Sequence, residues 1–368
     1  MKSLALLVIW FGIFLVRFGN SYQAEAKIGD YEGKAIKVIG RISSEPLLQG
    51  MSQRFNIGRV QVVTELYPKY EYGQKVAVVG ILQRRVINRW LNQFSLMYPT
   101  IKVIEADNVN LIRYQVIRFR QGIEAVFNQN LPEPEASLLA GIVLGVKRGL
   151  SSDFYEALRK TGTMHIVVAS GYNVTIIIGT VVLYLAGYLR RRTAILLGIL
   201  AVGIYAVMAG LQPAIVRAAI MGSLAYFGQL LGKQAGGLRL LMLAALLMLV
   251  MEPLLIFDLG FQLSVGATSG LLLLGERMDK IFGRVPLVGK AMGETVSAQI
   301  MVTPILLLAF GKMNVFSILI NSLILWLVPF IMLWGVILGV TQLKIAAWLV
   351  YIPLTIMVRV ITGFGNLW

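Results

Sequence analysis

The sequence contains no cysteine and a single histidine, His165. The absence of cysteine excludes disulfides, zinc–thiolate sites, iron–sulfur clusters and thiol nucleophiles. One histidine excludes every metal site that needs two or more histidine ligands, and with it a metallo-hydrolase of that kind. The sequence also lacks a G-x-x-x-x-G-K-[ST] phosphate loop and a G-x-G-x-x-G fingerprint, so no nucleotide-hydrolysing motor is indicated. We therefore expect no cofactor and no enzymatic activity.

Charged residues are scarce as well. They make up 14% of the 368 residues, against 57% hydrophobic residues, whereas soluble domains contain roughly 25% charged residues. Lysine and arginine total 34 and aspartate and glutamate 18, which gives a net charge of +16. This composition predicts a polytopic α-helical membrane protein with a basic soluble part, for which anionic lipid or nucleic acid is a plausible partner.

Residues 1–20 form the first segment, in which Lys2 precedes an apolar run from Leu4 to Val16. The run fits an N-terminal membrane anchor with Arg17 at its far end. It also fits the core of a signal peptide, with Ala24-Glu25-Ala26 as the cleavage site. Under both alternatives the next segment is delivered to the outer face of the membrane.

Residues 25–112 have frequent charges and short apolar runs punctuated by Gly, Pro, Asn and Ser. This pattern predicts a small all-β, OB-like domain of about five short strands. From Glu25 to Arg113 there are 13 basic and eight acidic residues, and seven aromatic residues lie between Phe55 and Tyr98. Basic and aromatic residues on such a barrel are typical of single-strand nucleic-acid binding. The alternative is that most of these rings belong to the core.

Residues 113–160 follow an amphipathic helical pattern that Pro132 and Pro134 interrupt. We expect these two helices to lie at the membrane interface or to cap a pore mouth.

Residues 161–368 form the predicted transmembrane domain. The basic loops at 190–192, 233–239, 277–290 and 344 all fall on one side, which the positive-inside rule makes cytoplasmic. The segment before residue 164 is then extracytoplasmic, in agreement with the export signal at the N-terminus. The spanning candidates, each near the ~20 residues that a bilayer requires, are 164–188, 194–211, 214–231, 239–256, 259–275, 295–311, 315–340 and 345–364.

Several polar residues lie inside these spans, where they are costly and therefore indicate function. Arg217, about one turn into a helix that begins near Pro213, either lines a pathway or snorkels to the interface. The other polar residues recur at helical spacing and either line a hydrated path or hold helices together. These stripes are His165 with Ser170 and Asn173, Thr295 with Gln299 and Thr303, Ser317 with Asn321, and Asp258 with Gln262.

The order of these motifs resembles the ComEC-type competence proteins, the inner-membrane DNA channel proteins of natural transformation. The resemblance rests on the run from Gly141 to Val174, on Pro213-Ala214 with Arg217-Ala218, on Gly260–Ser264, and on Gln299, Thr303-Pro304 and Asn321. It implies transport of single-stranded DNA across the cell membrane. It also implies partners, namely a separate cytoplasmic helicase or ATPase and a separate nuclease, and it leaves a homo-oligomer open.

By this resemblance, eight residues become candidates for the pore or its gate. Seven basic residues become candidates for DNA contacts at the pore mouth. Each of the seven also fits a solvated surface. The pore or gate candidates are His165, Ser170, Asn173, Arg217, Gln262, Gln299, Thr303 and Asn321. The mouth candidates are Arg84, Arg85, Arg89, Arg118, Arg120, Lys147 and Arg148.

The sequence departs from the family at two points. Many members carry a C-terminal metallo-β-lactamase-like domain, whereas this chain ends at Trp368 and holds one histidine, so we expect a short form without that domain. The family also often has histidine where Asn173 stands.

Two other functions remain open at this stage. One is a secondary transporter of a small anionic solute, with which the Pro- and Gly-broken spans are compatible. The other is an intramembrane hydrolase that uses Ser170 and His165.

Overall fold

The computed structural model describes residues 2–49, 52–86, 92–105, 111–146, 149–167, 171–232, 236–283, 289–310 and 317–366. The chain divides into two compact units. The first, which we call the β unit, comprises residues 1–117 and 246–258, and the second, the helical unit, comprises residues 118–245 and 259–368.

A long helix, α1 (Lys2–Gly29), opens the β unit and runs without a break through residue 20. Its second half packs on the strands that follow: Arg59 donates to the Ser21 carbonyl at 2.8 Å, and Ile28 packs against the sheet core. Near its middle, Arg17 donates to the Met251 carbonyl at 3.0 Å, and the Phe18 and Phe257 rings lie 6.0 Å apart. The predicted cleavage site therefore lies inside a helix that contacts the sheet.

Seven strands form one sheet: β1 (Ala35–Arg41), β2 (Leu47–Gln49), β3 (Ser52–Ile57), β4 (Val60–Glu65), β5 (Lys75–Val86), β6 (Asn92–Met97) and β7 (Thr100–Glu105). The order is β1-β5-β6-β4-β3-β2, and β7 also pairs with β5. All pairings are antiparallel except that of β4 with β6. A bridge between Ile42 and Ile57 brings the end of β1 back to β3.

Alternating burial along these strands places one face of the sheet in a core built from Phe55, Val62, Val78, Leu82 and Leu96, among others. The prediction of a small β domain in this part of the chain is thus confirmed, and its OB-like topology stays a prediction.

Gln53 on β3 fixes the segment that connects β4 to β5. Its side chain is 1% exposed, and its amide nitrogen donates to the carbonyls of Glu65 at 2.8 Å and Pro68 at 2.6 Å. Its amide oxygen accepts from the Tyr70 backbone N–H at 3.2 Å. One buried side chain thus pairs with backbone groups on both sides of Tyr67.

We predict that Gln53→Leu destabilises this segment by about 2–3 kcal/mol, because leucine removes three hydrogen bonds to part-buried backbone groups. Hydrogen–deuterium exchange of the full-length protein in detergent should show protection of residues 65–70 falling roughly 30- to 150-fold. Gln61→Leu on β4 is the control, since Gln61 is only half-buried. Unchanged protection in Gln53→Leu would contradict this role.

The helical unit begins within α2 (Leu111–Asn130) and continues through α3 (Glu135–Leu144), α4 (Ser152–Thr161), α5 (Met164–Val167), α6 (Gly171–Ala186), α7 (Arg191–Met208), α8 (Pro213–Leu230) and α9 (Gly237–Met251). After a 3-10 turn (Pro253–Phe257) come α10 (Leu259–Phe282), α11 (Gly289–Phe310), α12 (Ser317–Ile324), a second 3-10 turn (Leu325–Leu327), α13 (Val328–Thr341) and α14 (Lys344–Gly365).

Helix boundaries follow local chemistry. Ser151 caps α4 by accepting from the Phe154 N–H, and Gly162 ends it in the left-handed conformation. Pro213 opens α8, where its missing N–H costs no hydrogen bond.

In the described part of the chain, four helical stretches are long and apolar enough to cross a membrane: Arg191–Met208, Gly289–Ala309, Ser317–Thr341 and Lys344–Gly365. They correspond to four of the eight predicted spans. The predicted spans at 164–188 and 239–256 correspond to shorter apolar helices, Asn173–Ala186 and Gly237–Met251. The chain is therefore a polytopic α-helical membrane protein with a small β domain, as the composition predicts.

The helix α3 differs from the expectation for residues 113–160. All ten of its residues are buried, so it lacks the exposed polar face of an amphipathic helix. A β-carbon added at Gly335 on α13 would lie 2.7 Å from a Leu139 methyl and 2.8 Å from a Val143 methyl. Because α3 is buried on every side, it packs inside the helical unit.

Candidate functional site

Arg217 lies at the centre of the candidate site. It is 7% exposed, so its side chain does not extend to the surface as a snorkelling anchor would. Its Nε donates to the Ser264 hydroxyl on α10 at 2.9 Å, and its Nη1 lies 3.4 Å from the Met221 sulfur one turn along α8. Among the residues that the structure describes, no carboxylate forms an ion pair with it. The guanidinium is therefore a buried positive charge with neutral partners.

The start of α6 packs against this guanidinium. A β-carbon added at Gly171 would lie 3.1 Å from the Arg217 Nη2 and 3.2 Å from the Ala218 methyl, so a side chain at this position would require the guanidinium to shift. Two residues further along α6, Asn173 is 1% exposed and donates to the Ile142 carbonyl of α3 at 2.8 Å. Arg217 on α8 and Asn173 on α6 are 44 positions apart in the sequence. The structure brings both to the N-terminal end of α6.

The remaining pore or gate candidates are more scattered. Asn321 on α12 is 4% exposed, and its amide oxygen has no hydrogen-bond partner among the described residues. Gln262, Gln299 and Thr303 are half-buried on α10 and α11. His165 lies in α5, and only its backbone is described, while Ser170 lies outside the described residues. Neither the gate role of His165 and Ser170 nor a hydrolase built from them gains a structural argument.

Thr295 of the α11 stripe and Ser297, which lies outside the stripe, are satisfied within their own helix. The Thr295 hydroxyl donates to the Ala291 carbonyl and the Ser297 hydroxyl to the Gly293 carbonyl, each at 2.7 Å. Such intrahelical bonds satisfy a buried hydroxyl without water, which fits the packing alternative for this part of the stripe.

Arg120 requires a correction. As a mouth candidate it should be exposed, but it is 6% exposed and its Nη1 donates to the Met208 carbonyl at 2.8 Å. Met208 is the last residue of α7, where carbonyls have no intrahelical partner and a positive charge is favourable. Arg120 therefore ties α2 to the end of α7 and is not available to a strand in solution.

Of the other mouth candidates, Arg84, Arg85 and Arg118 are exposed, and Arg84 lies 3.8 Å from the Glu32 carboxylate. Arg89, Lys147 and Arg148 lie outside the described residues.

Another basic face lies on β1, β5 and β7. Lys37 pairs with Val79, and Lys102 pairs with Ala77 across the central strand β5, so their side chains share one exposed face. On this face Glu105 bridges Lys75 and Arg41, each at 3.1 Å. The hydrogen bond from Lys75, its charge and the nearby Arg41 lower the pKa of the Glu105 carboxyl below its ordinary value. This carboxylate stays ionised at neutral pH and neutralises part of the face.

A groove of about 610 Å³ lies elsewhere, between α13 and α14. Its lining is apolar and includes Trp326, Phe330, Leu333 and Ile356. None of the pore or gate candidates lines it, so it belongs to the apolar surface of the helices rather than to the site. Across the described residues, no group of three or more His, Asp or Glu side chains could hold a metal ion.

Ser264 and Gly171 are site residues that the candidate list omits. The sequence carries one signal for Ser264, its helical spacing of four residues from Thr268. In the structure the Thr268 hydroxyl donates to the Ser264 carbonyl at 3.0 Å. The approach of Gly171 to Arg217 has no local signal, because it depends on how α6 and α8 pack.

Comparison with known proteins gives the following findings. A family model described as Competence protein matches residues 142–367, a range that includes all eight pore or gate candidates. The sequence is 26% identical over 253 residues to ComE operon protein 3 of Bacillus subtilis (strain 168), covering 68% of this chain and 32% of that protein. It is 24% identical over 214 residues to the uncharacterized protein YcaI of Escherichia coli (strain K12), covering 54% of this chain and 28% of that protein.

The chain thus spans about a third of the length of the curated relatives it matches. No solved structure matches it significantly.

Proposed function

Because the chain belongs to the competence protein family, we propose that it is a channel through which single-stranded DNA crosses the cytoplasmic membrane during natural transformation. The buried guanidinium of Arg217 is the observation that carries the proposal. An unpaired charge in an apolar unit costs several kcal/mol, and a cost of this size is expected where the charge serves a ligand. A phosphodiester passing the site supplies the missing negative charge.

The neighbours of Arg217 fit this role. Ser264 fixes the Nε atom, which leaves the Nη2 atom directed toward the start of α6 beside Gly171. A guanidinium held in one orientation presents parallel N–H donors to a phosphate without first losing side-chain freedom. Neutral hydroxyl and thioether partners hold the arginine in place while leaving its charge uncompensated. The site thus binds any phosphate of the strand in turn, with no preference for sequence.

The proposed orientation places the β unit outside the cell membrane. The basic loop at 233–239 precedes α9, so the positive-inside rule directs the C-terminal end of α9 outward. Arg17, at the predicted outer end of the anchor, donates to Met251 at this same end of α9. From Arg17, α1 continues into its contacts with the sheet. The outer end of the anchor and the outer end of α9, which are predicted separately, therefore meet within the β unit. This contact supports an uncleaved anchor and an extracytoplasmic β domain.

The proposal assigns the work of translocation to partners. Exposed arginines such as Arg84, Arg85 and Arg118 attract the phosphate backbone in a salt-dependent way. We propose that a cytoplasmic helicase or ATPase pulls the strand and that a separate nuclease removes its complement, while this chain provides the path and no catalysis.

The test is DNA uptake by cells that lack the gene. Radiolabelled duplex DNA should bind the surface of these cells as in the wild type, but the label protected from external nuclease should disappear and return on complementation. Intact internalisation would refute the channel. Intact internalisation together with altered accumulation of a small labelled anion would instead establish the solute transporter.

A further inference from the structure

Two tyrosines of the β unit project into solvent while neighbouring aromatic rings fill its core. Tyr67 is 68% exposed and Tyr98 is 63% exposed, whereas Phe55 and Phe94 are 1% and 3% exposed. Both tyrosines lie in connections, Tyr67 after β4 and Tyr98 after β6. The structure thus separates the rings that stabilise the sheet from two that contribute little to it.

The strand pairing places these two tyrosines at the same end of the sheet. β4 and β6 are parallel, with Val63 opposite Met97, so the carboxyl ends of both strands reach one edge. Tyr98 directly follows Met97, and its backbone N–H donates to the Val63 carbonyl at 2.7 Å. Tyr67 follows β4 by two residues. Two exposed rings from distant parts of the sequence therefore share one edge.

The backbone at both positions is held in place. Tyr98 has φ of 47°, a left-handed conformation that is uncommon for a bulky residue and that marks functional segments when the surroundings enforce it. The segment that carries Tyr67 is bonded to Gln53 on both sides of the ring. Backbone held in this way loses little conformational freedom when a ligand stacks on the rings that it carries.

A basic side chain, that of Lys69, lies over the ring of Tyr67. The Lys69 Nζ lies 5.7 Å from the centroid of the Tyr67 ring, where it can contact a phosphate next to a base stacked on that ring. Aromatic rings beside basic side chains are how proteins bind single strands irrespective of sequence, because every base has a π face. Duplex DNA offers no unstacked bases to such rings.

We propose that Tyr67 and Tyr98 form a stacking platform for the bases of single-stranded DNA at the edge where β4 and β6 end. The inference rests on the proposed function and deepens it, since it names a base-contacting site outside the helical unit. It differs from the phosphate contacts expected of the arginines, because stacking depends on the bases and charge attraction does not.

The experiment measures binding of labelled single strands to the full-length protein in nanodiscs by fluorescence anisotropy. The strands are oligo(dT) and an abasic strand of equal length and charge. The double variant Tyr67→Leu/Tyr98→Leu should lose affinity for oligo(dT) about ten- to hundredfold and keep its affinity for the abasic strand. The variant Tyr67→Phe/Tyr98→Phe should bind both strands as the wild type does. Oligo(U) in a parallel titration distinguishes RNA from DNA as the preferred source of bases.

Tyr31→Leu is the matched control. Tyr31 is 53% exposed and has Lys34 5.7 Å above its ring, but it lies between α1 and β1. This variant should retain wild-type affinity, and an equal loss in it would overturn the assigned place of the platform. Equal loss for oligo(dT) and the abasic strand, or no loss, would overturn stacking. If stacking fails while cells still depend on the gene for uptake, the platform is wrong and the channel stands.

Discussion

Replacing Gly270 with alanine is expected to destabilise the protein, because the position lies against the backbone of α11. A β-carbon at this position would lie 2.2 Å from the Ser297 carbonyl oxygen and 3.2 Å from the Ala298 α-carbon. These are backbone atoms of α11, so no side chain can rotate away and the two helices must separate. Overpacking of this kind costs about 3 kcal/mol or more, which should lower the melting temperature of the detergent-solubilised protein by several degrees.

Gly275→Ala on the same helix is the control. An added β-carbon at Gly275 meets nothing within 4 Å, and alanine favours a helix over glycine by up to about 1 kcal/mol. Gly275→Ala should therefore melt at or above the wild-type temperature. If Gly270→Ala also melts at or above it, the close α10–α11 contact is not a feature of the protein.

Replacing Arg217 with methionine is expected to reduce DNA internalisation about a hundredfold or more, if the lost phosphate contact contributes about 3 kcal/mol. Methionine keeps the unbranched apolar stem and removes the charge. The guanidinium is buried and has no acidic partner among the described residues. The free energy of unfolding of the variant should therefore exceed that of the wild type by about 1–2 kcal/mol. Thermal melting and nuclease-protected uptake, measured on the same variant, test the two halves of this prediction.

Arg120→Met separates function from folding. Arg120 is buried to the same extent as Arg217, but it bonds to the end of α7. Its loss should lower the melting temperature, and uptake per folded molecule should change little. Were Arg217→Met instead to lower stability while leaving uptake per folded molecule intact, Arg217 would be a structural residue like Arg120.

Much of the membrane architecture is predictable because it depends on local properties. Apolar length and the side of each basic loop locate helices such as Arg191–Met208 and Lys344–Gly365 without knowledge of their neighbours. The helix α3 is harder to interpret, because ten residues are too few to span a bilayer and it packs against Gly335 of α13, which lies almost 200 residues away. Length alone does not distinguish a short core helix from an interfacial one.

The candidate site likewise contains residues that local properties identify and residues that depend on how the helices pack. The cost of a charge inside a span identifies Arg217 from the sequence alone. The partner of Arg217, Ser264, is 47 positions away and depends on helix packing. Arg120 is misread because its partner is a backbone carbonyl 88 positions away. Every residue type carries such a carbonyl, so the sequence gives no signal for this contact.

The tyrosines of the β unit show why composition cannot separate core from surface. Phe55, Phe94, Tyr67 and Tyr98 all contribute to the aromatic count that predicts a nucleic-acid platform. The parallel pairing of β4 with β6 brings Tyr67 and Tyr98 to one edge, whereas Phe55 on β3 and Phe94 on β6 lie in the core. This pairing joins two strands that β5 separates in the sequence. The local sequence pattern therefore does not indicate it.

The most direct measurement is photocrosslinking of DNA during uptake to a residue that touches the Arg217 guanidinium. Met221, whose sulfur contacts Arg217, is replaced by p-benzoylphenylalanine, and Leu308, which is 91% exposed on α11, carries the same probe as a control. The channel predicts that irradiation of cells taking up labelled DNA attaches a single strand at position 221 and none at position 308. Internalisation of DNA by the Met221 variant with no crosslink at 221, or with equal crosslinking at 308, would contradict it.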